Sequence, residues 1–230
     1  MNFLHRHYAT LVQHRYKLLL VSLLVLVLGS ALTPASVDPR LFAALLLQNM
    51  AVGALVFWEE RPLVIMGCLL AVLGLEVAAQ VWGWPAVRGF TGVAYSLFCF
   101  AITLRIFRKV LRTSQVTAEL LAATMCGFVQ LGMVGTFLFV FIDLWQPQSF
   151  ANVVSGPGNV QPLNYFSFIT LLTVGYGDIV PLTNVARKAT VLLGLVGHFY
   201  DLFVVSVIVG KYVGGVVEGV EEDRAAEPRN

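Results

Sequence analysis

Charged side chains are scarce in this 230-residue sequence. Lys, Arg, Asp and Glu together make up 12% of it, whereas hydrophobic residues make up 58%. Soluble domains carry about twice that share of charge. The mean hydropathy of +0.80 therefore excludes a soluble domain and predicts an integral membrane protein. The basic residues form no contiguous run, so no nucleic-acid partner is expected.

Cysteines and processing signals are also few. The three cysteines, Cys68, Cys99 and Cys126, lie in apolar segments. Their spacing fits no metal-ligand motif, so no bound cofactor is expected. No internal repeat is visible, and no small-residue cleavage site follows the basic N-terminal segment. The N-terminus is therefore expected to be retained.

The sequence does contain a series of apolar segments long enough to cross a bilayer, whose core needs about 20 helical residues. Six spans are predicted, at residues 18–32, 41–58, 63–81, 89–107, 119–144 and 185–212. A further apolar segment, residues 162–172, has proline where the first turn of a helix tolerates it and is too short to span. The pattern predicts an all-α membrane protein.

Basic residues flank two of these spans and set the orientation. Arg6, Arg15 and Lys17 precede the first span, and a cluster follows the fourth, formed by Arg105, Arg108, Lys109 and Arg112. The positive-inside rule makes both flanks cytoplasmic. Six spans return the chain to the side where it began, so both termini are predicted to be cytoplasmic in a multi-pass protein of the plasma membrane.

A glycine-containing motif, Thr-Val-Gly-Tyr-Gly-Asp at residues 173–178, lies between the short apolar segment and the last span. Gly175 and Gly177 allow backbone angles that residues with a Cβ adopt poorly. Such angles let consecutive carbonyls point to one side, where they can replace the hydration shell of a potassium ion. The motif therefore predicts potassium bound along Thr173, Val174, Gly175 and Tyr176.

In this order, an outer helix, a short helix, the motif and an inner helix, residues 117–215 resemble the pore domain of potassium channels. The resemblance implies a selectivity filter formed by Thr173, Val174, Gly175, Tyr176 and Gly177, behind a re-entrant pore helix. Filter support is expected from Asp178, Tyr165 and Leu172, with Asp178 accepting a hydrogen bond from the Tyr165 hydroxyl. Leu172 departs from the family, which usually has threonine there.

One such loop cannot surround an ion, so a fourfold homotetramer is predicted. Six spans with the filter before the last are similar to the six-transmembrane, voltage-gated-like superfamily. On this basis the chain divides into a cytoplasmic segment (1–17), a degenerate voltage-sensor-like four-helix domain (18–112), a pore domain (113–215) and a cytoplasmic acidic tail (216–230).

A voltage sensor needs several basic residues at every third position inside the field. Only Arg105 and Arg108 have that spacing, since Lys109 and Arg112 break it. Two interpretations stay open. The four residues form a basic collar that contacts anionic membrane lipid, or Arg105 and Arg108 act as a weak sensor.

Two acidic residues bear on the same question. The spacing of Phe57 and Glu60 is similar to the charge-transfer site of the voltage-gated family, which favours the sensor. Glu76 is an ionisable residue within the third predicted span, where burial is costly unless the group is paired or reaches water. It is expected either to pair with Arg88 or to have a sensing or ion-binding role.

The last span carries a second set of candidate residues, for a cavity and a gate. Gly197 matches the hinge glycine of simple potassium channels, although a helix-packing role is equally open. Glycine followed four residues later by Asp201 is similar to inward-rectifier channels. Helical periodicity puts the set on one face: Gly197, His198, Asp201, Val205 and Ile208.

If that face lines a cavity, four Asp201 carboxylates form a ring that binds potassium and blocking magnesium or polyamines, and Val205 and Ile208 form a hydrophobic gate. The alternative is that Asp201 pairs with a neighbouring helix through His198. The sequence thus predicts a passive potassium channel and no enzyme. A weakly voltage-gated channel and a silent subunit of a heteromeric channel remain alternatives.

Overall fold

The computed structural model describes residues 14–29, 38–57, 67, 74, 85–113, 116–156 and 159–226. Six helices lie in this part of the chain: α1 (Arg15–Leu28), α2 (Asp38–Ala54), α3 (Pro85–Arg112), α4 (Ala118–Trp145), α5 (Val160–Leu171) and α6 (Asn184–Ala226). They overlap five of the six segments predicted to span and also the predicted short helix, and the prediction of a mostly helical chain is confirmed. The third predicted span lies outside the described residues except for residues 67 and 74, and Glu60 and Glu76 both lie outside them.

Two helices in the described part of the chain are long and apolar enough to cross a membrane. They are Ala118–Trp145 and Asn184–Val213. Thr117 caps the first of them by accepting a hydrogen bond from the Leu120 amide at 3.2 Å, which satisfies one of the free N–H groups of a helix start. These helices correspond to the predicted outer and inner helices.

Helix α4 is the centre of the fold, because α1, α3, α5 and α6 all pack against it. Its two sides bury different cores. Phe139 and Ile142 belong to a cluster shared with α5 and α6, whereas Ala123 and Cys126 belong to one shared with α1 and α3. α4 therefore joins the helices of the predicted pore to the helices that precede it.

A buried polar network crosses α1, α2 and α3, and the sequence pattern gave no sign of it. The Tyr95 hydroxyl donates to Asn49 Oδ1 at 2.9 Å, and Asn49 Nδ2 donates to Ser22 Oγ at 3.1 Å. All three residues are buried. Such a network is stable in an apolar core because each polar group finds a partner there.

Only residues 113–117 separate α3 from α4. Five residues reach at most about 18 Å when fully extended. The α1–α3 bundle accordingly packs on the α4 of its own chain, with α3 and α4 forming the most extensive helix contact.

One predicted domain boundary coincides with the end of a helix, and another lies inside a helix. The division after residue 112 coincides with the end of α3. The division after residue 215 lies inside α6, which continues to Ala226. The acidic segment is helical there because Glu, Ala and Arg are good helix formers and no proline interrupts them.

Candidate functional site

The short helix α5 is fixed to α4 by side-chain hydrogen bonds. Ser167 Oγ donates to the Gly132 carbonyl at 2.7 Å, and Asn164 Nδ2 donates to Thr136 Oγ1 at 3.1 Å. Ser167 and Asn164 are both buried. Unpaired, they would be costly in an apolar core, so these bonds define the register of α5 on α4.

The segment that follows α5 is held at its beginning by one carbonyl. The Ile169 oxygen accepts hydrogen bonds from the amides of Val174, at 2.9 Å, and Gly175, at 3.2 Å. Leu172 ends the helix, its amide bonded to the Phe168 carbonyl at 2.8 Å. The chain therefore leaves α5 in a fixed direction.

The backbone of this segment alternates in the sign of φ. Thr173, Gly175 and Gly177 have φ of 58°, 54° and 80°, whereas Val174 and Tyr176 have negative φ. Positive φ is readily adopted by glycine and is uncommon for threonine. The two glycines thus occupy positions that require them, and Thr173 adopts the same conformation with a side chain.

An apolar cavity of about 330 Å³ lies beside the segment, lined by residues that include Phe166, Ile169, Thr173, Ile179 and Thr190. Val174 and Tyr176 are exposed in the single chain, with Tyr176 74% exposed. The Tyr165 side chain lies close to Asp178, which follows the segment.

Residues 149–152, which we call the outer strap, lie against the chain that follows the segment. The strap runs antiparallel to the chain that follows the segment and makes a single bridge between Phe150 and Pro181. The Ala151 amide donates to the Val180 carbonyl at 2.9 Å, and Asn152 Nδ2 donates to the Asp178 carbonyl at 2.6 Å.

Asp143, in the last turn of α4, is a further residue that the sequence analysis missed. Its side chain is 1% exposed and accepts hydrogen bonds from residues of the loop that includes the strap. A carboxylate at a helix C-terminus is disfavoured by the helix dipole. That unfavourable position was the one sequence signal that pointed to specific partners for Asp143.

The candidates on α6 differ in how exposed they are in the single chain. Gly197 is buried, and a Cβ there would lie 2.4 Å from Leu171 Cδ1, so Gly197 allows α6 to approach the end of α5. His198 and Asp201 are exposed in the single chain. Ile208 is partly buried. Val205 lies on α6 as well.

The four basic residues at the end of α3 differ in their surroundings, since two contact aromatic rings and two are exposed. The Arg105 guanidinium lies over the Phe57 ring, 5.1 Å from its centroid, and the Lys109 ammonium lies 3.9 Å from the centroid of Tyr16. Arg108 and Arg112 are exposed. Cations are attracted to aromatic faces, so two of the four residues are anchored to the α1–α3 bundle.

A lysine on α6 hydrogen-bonds to the C-terminal end of α3. Lys211 Nζ donates to the carbonyl oxygens of Val110, Leu111 and Thr113. Carbonyls in the last turn of a helix lack intrahelical partners, and the helix dipole also stabilises a cation at this end. Nearby, the rings of Phe107 and Phe203 are 4.9 Å apart. The part of α6 that contains Phe203 and Lys211 is therefore attached to the C-terminal end of α3.

Side chains of the kind that usually hold metals do not converge anywhere in the described residues, where no group of three or more His, Cys, Asp or Glu is found. Backbone oxygens are the groups that the segment after α5 offers to a cation.

Residues 158–213 match a family model described as an ion channel. The match covers about a quarter of the chain and includes α5, the glycine-containing segment and α6 as far as Val213. Comparison with curated proteins and with solved structures gave no match. Together with the two apolar helices long enough to span a bilayer, the match indicates a membrane protein with an ion-channel segment at residues 158–213.

Proposed function

We propose that four copies of this chain form a passive, potassium-selective pore in the plasma membrane, with ions passing along residues 173–177. The observation that carries the proposal is the alternation of φ along Thr173, Gly175 and Gly177, inside the segment that matches the ion-channel family. A backbone whose φ alternates in sign is what a row of carbonyls on one side requires.

Such a row explains selectivity for potassium in physical terms. An ion enters a narrow pore only if oxygen ligands compensate for the water that it loses. Consecutive carbonyls of Thr173, Val174, Gly175 and Tyr176 supply these ligands without any charged side chain. The hydrogen bonds from Val174 and Gly175 to Ile169 support this role, because they fix the inner end of the row.

A tetramer is proposed because a single chain carries one such row and cannot surround an ion. Apolar side chains on α6 support self-association. Val191, Leu192, Leu195 and Phe199 are more than half exposed in the single chain, which is unusual for one continuous surface unless a partner or lipid covers it. The six-span topology with cytoplasmic termini is part of the same proposal.

The experiment that tests this function is current recording from the purified protein in bilayers, first in symmetric potassium and then with sodium on one side. We expect potassium current without any other subunit and a reversal potential that follows the potassium gradient. Equal permeability to sodium would contradict the filter. Absence of current from a correctly assembled protein would favour a silent partner subunit instead.

Asp201 gives a prediction about block. If the four carboxylates form a ring below the filter, internal magnesium or polyamines bind there and reduce outward current. Replacing Asp201→Asn removes the charge with little change in shape, so we expect at least about tenfold weaker internal block at depolarised voltages, which corresponds to about 1.4 kcal/mol. The dose dependence of block by internal magnesium is the measurement. Unchanged block would instead support a pairing of Asp201 with a neighbouring helix.

A weakly voltage-gated channel is the second candidate, and the contact of Arg105 with Phe57 favours it. Movement of α3 would reach the inner helix directly, because Lys211 bonds to the last carbonyls of α3. Against this candidate, the described network of Ser22, Asn49 and Tyr95 is uncharged.

Voltage steps on the wild type and on Arg105→Gln distinguish the two candidates. A passive pore gives current that follows voltage without a threshold and is unchanged by the substitution. A sensor gives steep opening, because each charge that crosses the field contributes about 2.3 kcal/mol per 100 mV, and the slope then falls in the variant.

A further inference from the structure

The outer strap, residues 149–152, is held in place by a buried carboxylate on α4. Asp143 Oδ1 accepts from the Ser149 amide at 3.3 Å and from Ser155 Oγ at 3.0 Å. Asp143 Oδ2 accepts from Asn159 Nδ2 at 2.7 Å. Asp143, Ser149 and Asn159 are each 1% exposed or less, so the two bonds that join them are shielded from water, whereas the bond from Ser155 is partly buried.

These three bonds join both ends of the loop to one side chain. Ser149 begins the strap, whereas Asn159 immediately precedes α5. Ser155, between them, also accepts a hydrogen bond from the Gln148 amide at 2.8 Å. A carboxylate is acceptor-only and has room for several donors, so Asp143 can satisfy all of them at once.

The strap in turn holds the chain that leaves the filter. The Ser149 carbonyl accepts from the Leu182 amide at 2.8 Å, and the Thr183 hydroxyl donates to Ser149 Oγ at 3.2 Å. Further out, Asn152 reaches the Asp178 carbonyl at 2.6 Å. The Phe150 ring packs against Phe139 and Phe166, with centroid distances of 5.4 and 5.5 Å respectively.

A continuous path of hydrogen bonds thus runs from α4 through the strap to the chain that leaves the filter. We propose that Asp143 is a positioning residue for ion conduction, which acts through the strap to hold the outer end of the filter in its conducting form. The inference rests on the proposed potassium-channel function. Loss of the Asp143 bonds frees the strap, and the chain at residues 178–182 then relaxes away from the conducting geometry.

Relaxation of the filter should depend on external potassium. An ion bound in the filter stabilises the conducting form by mass action, since it binds that form and not the relaxed one. Current through a weakened filter therefore decays during sustained opening, and high external potassium slows the decay. A residue that only stabilises the fold would lower the amount of channel without this ion dependence.

The test is the substitution Asp143→Asn, which keeps the shape but replaces one acceptor oxygen by an N–H₂ group, so that a donor faces either the Asn159 amide or the Ser149 N–H. We expect the current to decay about tenfold faster in low external potassium, and the difference from wild type to shrink in high potassium. The double variant Asp143→Asn/Asn159→Asp exchanges donor and acceptor, restores the bond, and should return the decay rate toward wild type. Val154→Thr, on the same loop and 86% exposed, is the control and should behave as wild type.

A second readout does not require conduction. The amides of Ala151 and Leu182 form the backbone hydrogen bonds between the strap and residues 180–182. Their hydrogen exchange should be about tenfold faster in Asp143→Asn and return to the wild-type rate in the double variant.

If wild type conducts potassium and both readouts are unchanged in Asp143→Asn, the inference is wrong and the proposed function stands. If wild type does not conduct potassium, the proposed function fails, while faster exchange would still establish Asp143 as the anchor of the strap. If Asp143→Asn does not assemble and the double variant assembles but keeps the fast decay or fast exchange, the inference is also overturned.

Discussion

Replacing Gly177→Ala is expected to abolish potassium conduction while leaving the tetramer assembled. Gly177 has φ of +80°, and a Cβ at this position would have no atom within 4 Å in the single chain. The effect is therefore conformational and not a steric clash. A residue with a Cβ in the left-handed region costs about 1–2 kcal/mol, which sums to about 4–8 kcal/mol over four chains. We expect potassium current to fall by about 100-fold or more.

The measurement is potassium flux from proteoliposomes that contain equal amounts of assembled protein. Gly92→Ala is the control, because Gly92 lies within helix α3, outside the filter, and a Cβ there would make only an ordinary contact, 3.9 Å from Phe137. It should retain the wild-type potassium flux. Wild-type flux in Gly177→Ala would contradict a filter that depends on alternating φ.

Replacing Gly135→Ala should have the largest effect on stability. A Cβ at Gly135 would lie 2.5 Å from Ser167 Oγ and 2.6 Å from Leu193 Cδ2. These contacts come from α5 and α6 at once, so neither side can move away without disturbing the other. Overpacking of this kind costs about 1–3 kcal/mol, and a chain of this size loses about 2–4 °C in melting temperature per kcal/mol.

Thermal unfolding in detergent, followed by loss of the tetramer, measures the effect. Gly92→Ala on α3 is the control, because its Cβ would make only an ordinary contact, 3.9 Å from Phe137, and alanine is the better helix former by about 1 kcal/mol. We expect the control to melt at or slightly above the wild-type temperature. If Gly135→Ala melts with the wild type, the close packing of α4 against α5 and α6 is not as described.

The helices around the filter could be predicted from the sequence because their signals are local. Span length and the proline in the first turn of α5 each depend on a few neighbouring residues. The start of α6 is equally local, since Thr183 caps it by accepting a hydrogen bond from the Ala186 amide at 3.3 Å. Element ends differ from the prediction by a few residues, except at α6, where the acidic segment is helical to Ala226.

The contacts that connect the helices could not be predicted, because they join residues far apart in sequence. Asn49 meets Ser22 and Tyr95 across 27 and 46 positions, and Lys211 meets the end of α3 across about 100. Nothing in a local pattern distinguishes Asn49 from a lipid-facing polar residue. Asp143 is intermediate, since its partners lie 6 to 16 residues away but in a loop without regular periodicity.

The five residues between α3 and α4 have a consequence for how the protein is made. Because the α1–α3 bundle lies on the α4 of its own chain, each newly synthesised subunit can complete this packing before it meets another. Formation of the proposed tetramer would then bring together subunits that are already folded, with no exchange of helices between neighbours. Co-expression of wild-type and variant subunits should therefore yield mixed tetramers in binomial proportions. The potassium current of such a mixture would then show how many altered subunits a pore tolerates.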